Sequence, residues 1–235
     1  VETYKGKEAP KGIKADDVVV AGKSDPENNP HAMTLCIVER GMEGFERGRN
    51  LDKMGMKAQD TAELFFSNVK IPKENILGEP GNGFFYLMQG LAEERLIAAV
   101  GSIATARRAF NLTREFVMER QVFGKPLSYM QNTQFKMAEM DAEIEILEIF
   151  IDHLVAEHNE ERLTANMAAK AKLQSTEIEW KMLDLGVQLH GGAGYMKEYP
   201  ICNMFTDARI NRILAGSSEI MKLIISRDIF SENYS

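Results

Sequence analysis

Three glycines in the run Gly191-Gly192-Ala193-Gly194 stand between two helical patterns and are suited to bind a nucleotide. Glycine lacks a Cβ, so the backbone there can lie directly against a phosphate or a ribose and present its N–H groups as donors. A helix that ends at a glycine and is followed by a turn produces the same pattern. The cluster by itself therefore leaves two interpretations open, a nucleotide site and an ordinary helix terminus.

A second turn of small residues, Leu214-Ala215-Gly216-Ser217, follows about one helix further along the chain. Gly216 allows a ligand to approach the backbone closely. Ser217 is also a good N-cap for a helix whose first turn contains Glu219. The two roles, ligand binding by the main chain and capping of a helix, are compatible.

Helical periodicity predicts the elements that position these turns. From Gly83 onward, apolar residues recur at helical spacing, and no proline interrupts the pattern before Pro126. Further helices are predicted from about Ser128 to His158, from about Thr164 to Leu189, and as two shorter segments after Pro200 and Gly216. Stripes this apolar are typical of the core of a helical bundle.

The chain before residue 79 has a different sequence pattern, in which short apolar runs are separated by turn residues. The runs DDVVVAG, MTLCIVERG and AELFFSNVKIP predict strands of a partial antiparallel sheet, and Pro72 closes the last strand. Residues 24–31 combine acids, asparagines and prolines, which predicts an exposed loop. The predicted fold class is α+β, with a partial antiparallel β-domain over residues 1–78 and a four-helix-bundle-like α-domain over residues 79–235.

Composition argues against several classes of protein. The formal net charge is −7, and lysines and arginines are scattered among acids, which argues against a nucleic-acid surface. The cysteines, Cys36 and Cys202, show no CxxC spacing, so we predict neither a metal site nor a disulfide framework, and a reducing compartment fits best. No apolar run approaches the roughly 20 residues that a membrane helix needs, so no membrane span is predicted.

Residues 186–221 contain an ordered series of motifs: Gln-Leu-His-Gly-Gly-x-Gly-Tyr, Tyr-Pro, Asp-Ala-Arg-Ile and Ala-Gly-Ser-Ser-Glu-Ile. This series resembles the C-terminal domain of the acyl-CoA dehydrogenases. Residues 37–88 resemble the middle β-domain of that family and the entry to its first long C-terminal helix, and ERQVFGKPLSYMQNTQFKMAEM resembles its Arg-x-x-Phe-Gly-Lys segment. The resemblance implies the acyl-CoA dehydrogenase fold, FAD as cofactor, and α,β-dehydrogenation of an acyl-CoA thioester to the trans-2-enoyl-CoA.

The start of the chain departs from the family pattern. The family's N-terminal helical domain and first β-strands have no counterpart here, and the chain begins at Val1. We therefore expect a fragment or truncated product, with weak or no activity by itself. The run TYKGKEAPKGIKADDVVV does not reproduce the segment that flanks the flavin ring in relatives, so no ring contacts are predicted from it.

The catalytic base implied by the resemblance is Glu94. Many relatives carry a glutamate where this chain has Ala215, and alanine cannot abstract a proton. The isovaleryl-CoA and long-chain types also lack that glutamate and place the base on the first long C-terminal helix, directly before an arginine, which here is Arg95. Its neighbour Glu93 projects about 100° away on a helix and is predicted to face solvent or form an ion pair. An ion pair is likewise the alternative interpretation of Glu94.

The resemblance also assigns binding roles. Contacts to FAD are implied for Arg120, Phe123, Gln131, Gln188, Leu189, His190, Gly191, Gly192, Ser217, Ser218 and Glu219. Contacts to the acyl-CoA are implied for Phe85, Ala92, Glu93, Arg95, Ala215 and Gly216, with the Ala215 backbone N–H donating to the thioester carbonyl.

Ordinary interpretations stand beside three of these assignments. Arg120 also suits a cation at a helix C-terminus, and Phe84 and Phe85 also suit core positions. His190 is interpreted as a partly buried, hydrogen-bonding residue with no catalytic role.

The resemblance implies partners as well. In the family, the Arg120 position and the turn from Gln188 to Gly192 reach the FAD of a neighbouring subunit, which implies a homotetramer built as a dimer of dimers. The implied substrate is a branched, medium or long acyl-CoA, handled in fatty acid β-oxidation or branched-chain amino acid degradation. The implied electron acceptor is an electron-transfer flavoprotein. The expected location is the bacterial cytoplasm or, alternatively, the mitochondrial matrix.

Two other functions stay open at this point. The first is an acyl-CoA oxidase, in which oxygen takes the electrons. The second is a catalytically silent scaffold or partner subunit, which Ala215 favours and Glu94 opposes.

Overall fold

The computed structural model describes residues 4–10, 13–24, 29 and 32–231. The chain divides into two compact units, residues 1–90 and residues 91–235. The predicted boundary between residues 78 and 79 lies where the strands give way to a helix, whereas the two units divide inside that helix. None of the helices in the described ranges is both long enough and apolar enough to cross a bilayer.

The first unit contains six strands, which are β1 (Tyr4–Pro10), β2 (Asp17–Lys23), β3 (Met33–Glu39), β4 (Phe45–Asn50), β5 (Thr61–Phe66) and β6 (Ile76–Leu77). They form two antiparallel three-stranded sheets, in the orders β1-β5-β4 and β2-β3-β6. Val38 on β3 and Ala62 and Leu64 on β5 are buried apolar residues of these strands. The predicted antiparallel β-part is thus confirmed.

Two differences separate this unit from the sequence prediction, and a third prediction lies partly outside the described residues. Strands β1, β4 and β6 were not predicted, because they are polar or very short and lack an apolar alternation. Strand β5 ends at Phe66, not at Pro72, because Asn68 adopts a left-handed conformation (φ 52°) that a strand cannot continue through. Within the loop predicted over 24–31, residues 25–28, 30 and 31 lie outside the described residues.

Five helices follow: α1 (Gly83–Glu119), α2 (Gln131–Asn159), α3 (Ala165–His190), α4 (Pro200–Ala208) and α5 (Ser218–Ile229). Between α1 and α2 lies a small hairpin, with strands β7 (Gln121–Val122) and β8 (Lys125–Pro126). The predicted helices are therefore confirmed in number and order. Helix α2 begins later than expected because residues 127–129 form a turn of 3-10 helix.

Small residues let the helices of the second unit pack closely. Ala99, Ala106 and Ala109 on α1 are fully buried in one cluster with the larger side chains of Met140 and Ile144 on α2. The same cluster includes apolar residues of α3 and α4. Close packing of this kind fixes the ends of the helices, and both candidate binding turns lie at such ends.

Candidate active site

Glu93 and Glu94 lie on α1, within the part that belongs to the second unit, and both are exposed. Their neighbour Arg95 turns inward and is only 7% exposed. Neither glutamate forms a salt bridge with any described residue, so the ion pair that was the alternative interpretation of Glu94 is not formed. Glu94 is therefore an accessible carboxylate, with the charge of Arg95 beside it.

The turn that precedes α5 has a strained backbone. Ala215 adopts φ 52° and Gly216 adopts φ 99°, both in the region that L-residues other than glycine rarely occupy. A Cβ on Gly216 would lie 2.7 Å from Cε of Met221. Holding an alanine in such a conformation destabilises the folded state by roughly 1–3 kcal/mol, and such strain is often found at ligand-binding sites.

Two buried cations hold the carbonyl groups of this turn. Arg95 Nε donates to the Ala215 carbonyl oxygen at 3.4 Å, and Lys172 Nζ, from α3, donates to the Gly216 carbonyl oxygen at 2.7 Å. Lys172 is fully buried. Burial lowers the pKa of Lys172, the charge of Arg95 lowers it further, and the smaller effects of the Glu177 and Glu219 charges raise it.

The amide groups of the same turn are left available. In a planar trans peptide the C=O and the N–H point in opposite directions, and the described backbone has no cis bond. The carbonyls of Ala215 and Gly216 face the cations, so the N–H groups of Gly216 and Ser217 point away from them. Within the described part of the chain, the amides of Ala215, Gly216 and Ser217 donate no hydrogen bond. A ligand oxygen could accept from them.

The glycine turn after α3 combines a helix terminus with an open surface. The Gly191 N–H donates to the Gln188 carbonyl, so the C-cap interpretation is confirmed. A Cβ on Gly191 or on Gly192 would meet no atom within 4 Å, whereas a Cβ on Gly194 would lie 2.5 Å from the Val187 carbonyl oxygen. The first two glycines therefore face open space, and the third is required by packing.

His190, at the end of α3, is buried and has a structural environment. Its Nδ1–H donates to the Gly186 carbonyl oxygen at 2.7 Å, and its ring stacks on Phe116 with centroids 4.1 Å apart. Burial lowers the pKa of the imidazole, against the smaller opposing effect of the Gly186 carbonyl. The buried, hydrogen-bonded environment predicted for His190 is confirmed, and its lack of a catalytic role stays a prediction. Of the residues before it, Gln188 is exposed and Leu189 is half-buried.

The hairpin between α1 and α2 presents an aromatic ring to solvent. Phe123 is 98% exposed and adopts φ 50°, next to Gly124 at φ 77°, in the tight turn between β7 and β8. Arg120, directly before the hairpin, and Gln131, the first residue of α2, are also exposed. The fold gives Phe123 no packing role in this chain, which agrees with a role in binding.

The start of α5 uses its polar side chains in three different ways. Ser217 Oγ accepts a long N-cap bond of 3.5 Å from the Ile220 N–H. Ser218 is buried, and its hydroxyl donates to Glu177 on α3 at 2.8 Å, so any contact of Ser218 with a cofactor must come from its backbone. Glu219 is exposed, and hydrogen bonds from its own N–H and from Ser217 lower its pKa.

The residues predicted to lie near the acyl chain are distributed along α1. Phe85 is 58% exposed and Phe84 is 40% exposed, so the alternative that these two rings belong to the core is wrong for this chain. Ala92 is half-buried. Arg95 bonds to the turn, and its predicted contact with a substrate stays a prediction.

Sequence reasoning missed two buried ionisable residues on α3. Lys172 and Glu179 are 0% and 1% exposed, and Glu179 accepts bonds of 3.1 and 2.9 Å from the Asn211 amide. Burial raises the pKa of Glu179. The available signal was position: Ala168, Lys172, Thr176 and Glu179 follow one helical stripe, so the charged residues lie in line with a buried alanine.

The fold and the two turns define a class. A helical domain with a small β-part before it, an accessible glutamate on the first long helix and two ligand-accessible turns correspond to an acyl-CoA dehydrogenase C-terminal domain. Residues 81–230 match the family described as "Acyl-CoA dehydrogenase, C-terminal domain". The chain belongs to the acyl-CoA dehydrogenase family, as the sequence motifs predicted.

Named relatives agree with this assignment. The chain is 44% identical to the long-chain specific acyl-CoA dehydrogenase of Mus musculus over 92% of this chain and 50% of that protein. It is 34% identical to the isovaleryl-CoA dehydrogenase of Oryza sativa subsp. japonica over 94% of this chain and 54% of that protein. An acyl-CoA dehydrogenase from Geobacillus kaustophilus superimposes with a TM-score of 0.92 at 42% identity, covering 97% of this chain and 62% of that one. The chain spans about half the length of the curated relatives it matches.

Proposed function

We propose that this chain is the part of an FAD-dependent acyl-CoA dehydrogenase that carries the catalytic base and the thioester-binding turn. The reaction is α,β-dehydrogenation of an acyl-CoA to the trans-2-enoyl-CoA. The observation that carries the proposal is the combination of Glu94, an accessible carboxylate without an ion pair, with a turn at Ala215 whose amide donors are unused. Both features belong to the second unit.

The two features supply what the chemistry of a thioester requires. A Cα–H beside a thioester is a very weak acid, so its removal needs a positioned base and donors for the developing enolate oxygen. A carboxylate oxygen of Glu94 takes the Cα proton, and the Ala215 amide donates to the thioester oxygen. The bond between Cα and Cβ becomes double as the hydride leaves Cβ.

The described residues fit a dinucleotide cofactor on one structural criterion, the free space at the glycine turn. A phosphate or ribose can contact the backbone at Gly191 and Gly192, where a Cβ would meet no protein atom within 4 Å. Arg120 adds an exposed cation suited to a pyrophosphate, and Phe123 adds an exposed ring. When bound, FAD supplies the acceptor for the hydride from Cβ.

The substrate we propose is a branched, medium or long acyl-CoA. The support is the placement of the base on α1, which the chain shares with the long-chain and isovaleryl-CoA types that it resembles, and the similarity to relatives with those names. Phe85, on the first turns of α1, is 58% exposed and is the aromatic residue that we propose to contact the acyl chain.

The assembly we propose is a homotetramer with cofactor sites shared between subunits. Large apolar side chains on α2 are exposed in the single chain: Phe135, Ile146 and Ile149 are 58, 70 and 66% exposed. Apolar surface on this scale favours association. We further propose that an electron-transfer flavoprotein reoxidises the flavin, in the bacterial cytoplasm or the mitochondrial matrix.

Glu94→Gln tests the proposal. In the FAD-loaded full-length protein this variant keeps the flavin absorbance and binds acyl-CoA, because the amide is nearly isosteric with the carboxylate, but it loses bleaching of the flavin by substrate. Without its general base the rate of bleaching falls by about 10²- to 10⁴-fold. The matched control is Glu93→Gln, which alters an equally exposed glutamate next to it and should reduce the rate far less.

The outcomes separate the three candidate functions. Unchanged bleaching in Glu94→Gln rules out Glu94 as the base. A full-length wild-type protein whose flavin no acyl-CoA bleaches is a silent scaffold, the alternative that Ala215 favours. Steady peroxide formation in air without an added acceptor identifies an oxidase.

A further inference from the structure

Lys172 lies on the buried stripe of α3, where an apolar residue would be expected. Its side chain is fully buried, and the only hydrogen bond its ammonium makes within the described residues goes to the Gly216 carbonyl oxygen, at 2.7 Å. A second lysine two residues earlier, Lys170, is exposed. The helix therefore has an ordinary surface lysine beside a lysine that points into the fold.

The buried ammonium has no counter-ion in contact with it. No described carboxylate lies within salt-bridge distance of Lys172, and the buried cation Arg95 affects its pKa more than the charge of Glu177 or of Glu219 does. An unpaired charge is costly to bury, and an apolar side chain of similar volume fills such a position without that cost. Lys172 therefore lowers the free energy of unfolding. Residues that destabilise a fold in this way are often retained for function.

The contact of Lys172 is with the strained turn itself. The Gly216 carbonyl belongs to the peptide group that contains the Ser217 N–H, and Gly216 and Ala215 both adopt left-handed conformations. A charge-assisted bond to that carbonyl stabilises one orientation of the peptide group. It also places a positive charge behind donors that point away from it.

We propose that Lys172 is a positioning residue for the thioester. Its ammonium holds the Gly216 carbonyl and so fixes the turn that carries the Ala215 N–H, and its positive charge favours negative charge on the thioester oxygen. The effect is largest when that oxygen gains negative charge, as the Cα proton is lost. The inference rests on the proposed function of Glu94 and Ala215. It adds a residue of α3 that touches neither the substrate nor the base.

Two substitutions distinguish the charge from the hydrogen bond. Lys172→Met fills the same space but removes both, whereas Lys172→Gln keeps an N–H donor and removes the charge. Lys170→Met is the matched control, because it deletes a lysine from the exposed side of the same helix. All are compared in the FAD-loaded protein, together with their thermal unfolding.

The readout is the carbonyl stretch of a bound thioester, followed by infrared difference spectroscopy with a ¹³C=O label. The ligand is an acyl-CoA with sulfur in place of Cβ, which cannot lose a hydride, so the measurement does not depend on turnover. Wild-type protein shifts the stretch to lower wavenumber. We expect the shift to shrink in Lys172→Gln and more in Lys172→Met, with kcat reduced by about 10- to 100-fold, KM within about threefold, and an unfolding temperature no lower than that of the wild type.

The results that overturn the inference are equally specific. An unchanged stretch and unchanged kcat in Lys172→Met leave the lysine with no role in the site. If the unfolding temperature, the ligand affinity and the rate all decrease together in Lys172→Met, the lysine only stabilises the fold. If Lys172→Met fails to fold, Lys172→Gln carries the same comparison.

The control experiment separates this inference from the function on which it rests. A wild-type protein that acyl-CoA does not bleach contradicts the proposed function, and the role of Lys172 falls with it. A wild-type protein that is bleached, with variants of Lys172 that match it, contradicts the role of Lys172 alone.

Discussion

The turn at Gly191–Gly194 and the turn at Ala215–Ser217 each end one helix region and begin another, yet they are stabilised differently. The first is closed by a local hydrogen bond from the Gly191 N–H to the carbonyl oxygen of Gln188, three residues earlier in the sequence. The second has its carbonyls bonded to Arg95 on α1 and Lys172 on α3, which are distant in sequence.

This difference separates two ways of building a binding surface. The glycine turn exposes its backbone because two of its residues have no side chain. The second turn exposes the amides of Gly216 and Ser217 because buried cations bind the carbonyls at the opposite ends of those two peptide groups. The first arrangement depends on local sequence, and the second depends on the packing of three helices.

Gly216→Val tests the strained turn and has the largest expected effect on stability. A β-branched side chain at φ 99° is strained, and its Cβ would lie 2.7 Å from Met221 Cε, so the free energy of unfolding should fall by about 3 kcal/mol. Urea unfolding monitored by circular dichroism measures it. Gly101→Ala is the control: its Cβ meets nothing within 4 Å, and an exposed helical glycine gains stability when replaced. A Gly216→Val protein as stable as the wild type would show that the turn is free to rearrange.

The glycine turn is tested by a matched pair of substitutions. Gly194→Ala should cost about 2 kcal/mol, because its Cβ would lie 2.5 Å from the Val187 carbonyl oxygen. Gly192→Ala should leave stability nearly unchanged but weaken FAD retention, because the methyl group fills space that the cofactor uses. Thermal unfolding and the dissociation constant of FAD are the two measurements. Normal FAD affinity in Gly192→Ala contradicts a cofactor site at this turn.

A pH series on the helix end before this turn has the smallest expected effect. Burial lowers the pKa of His190 below its usual 6.5, so the unfolded chain binds the proton more tightly than the folded chain does. The contribution of His190 to the free energy of unfolding is therefore largest above about pH 6.5. As the pH falls below that value, the free energy of unfolding decreases by at most about 1.4 kcal/mol per pH unit. This contribution is measured as the difference between the free energies of unfolding of the wild type and of His190→Asn from pH 5 to pH 8. If both proteins show the same dependence on pH, the dependence comes from other groups.

Much of the fold was predictable from the sequence because its signals are local. Periodic apolar residues predicted all five helices, and branched runs predicted β2, β3 and β5. The family followed from ordered motifs, and residues 81–230 confirm it. The polar strands β1 and β4 were not predicted, since their place in a sheet comes from pairing with β5.

The sequence alone determined which residue types occupy the two turns, that position 215 holds an alanine, and that a glutamate precedes Arg95 on the first long helix. Only the tertiary structure decided that Glu94 is exposed without an ion pair, that Gly191 and Gly192 face open space while Gly194 does not, and that Lys172 lies under the turn. The physical reason is that hydrophobic period and glycine content act locally. The burial of a charge depends on helices brought together from distant parts of the chain.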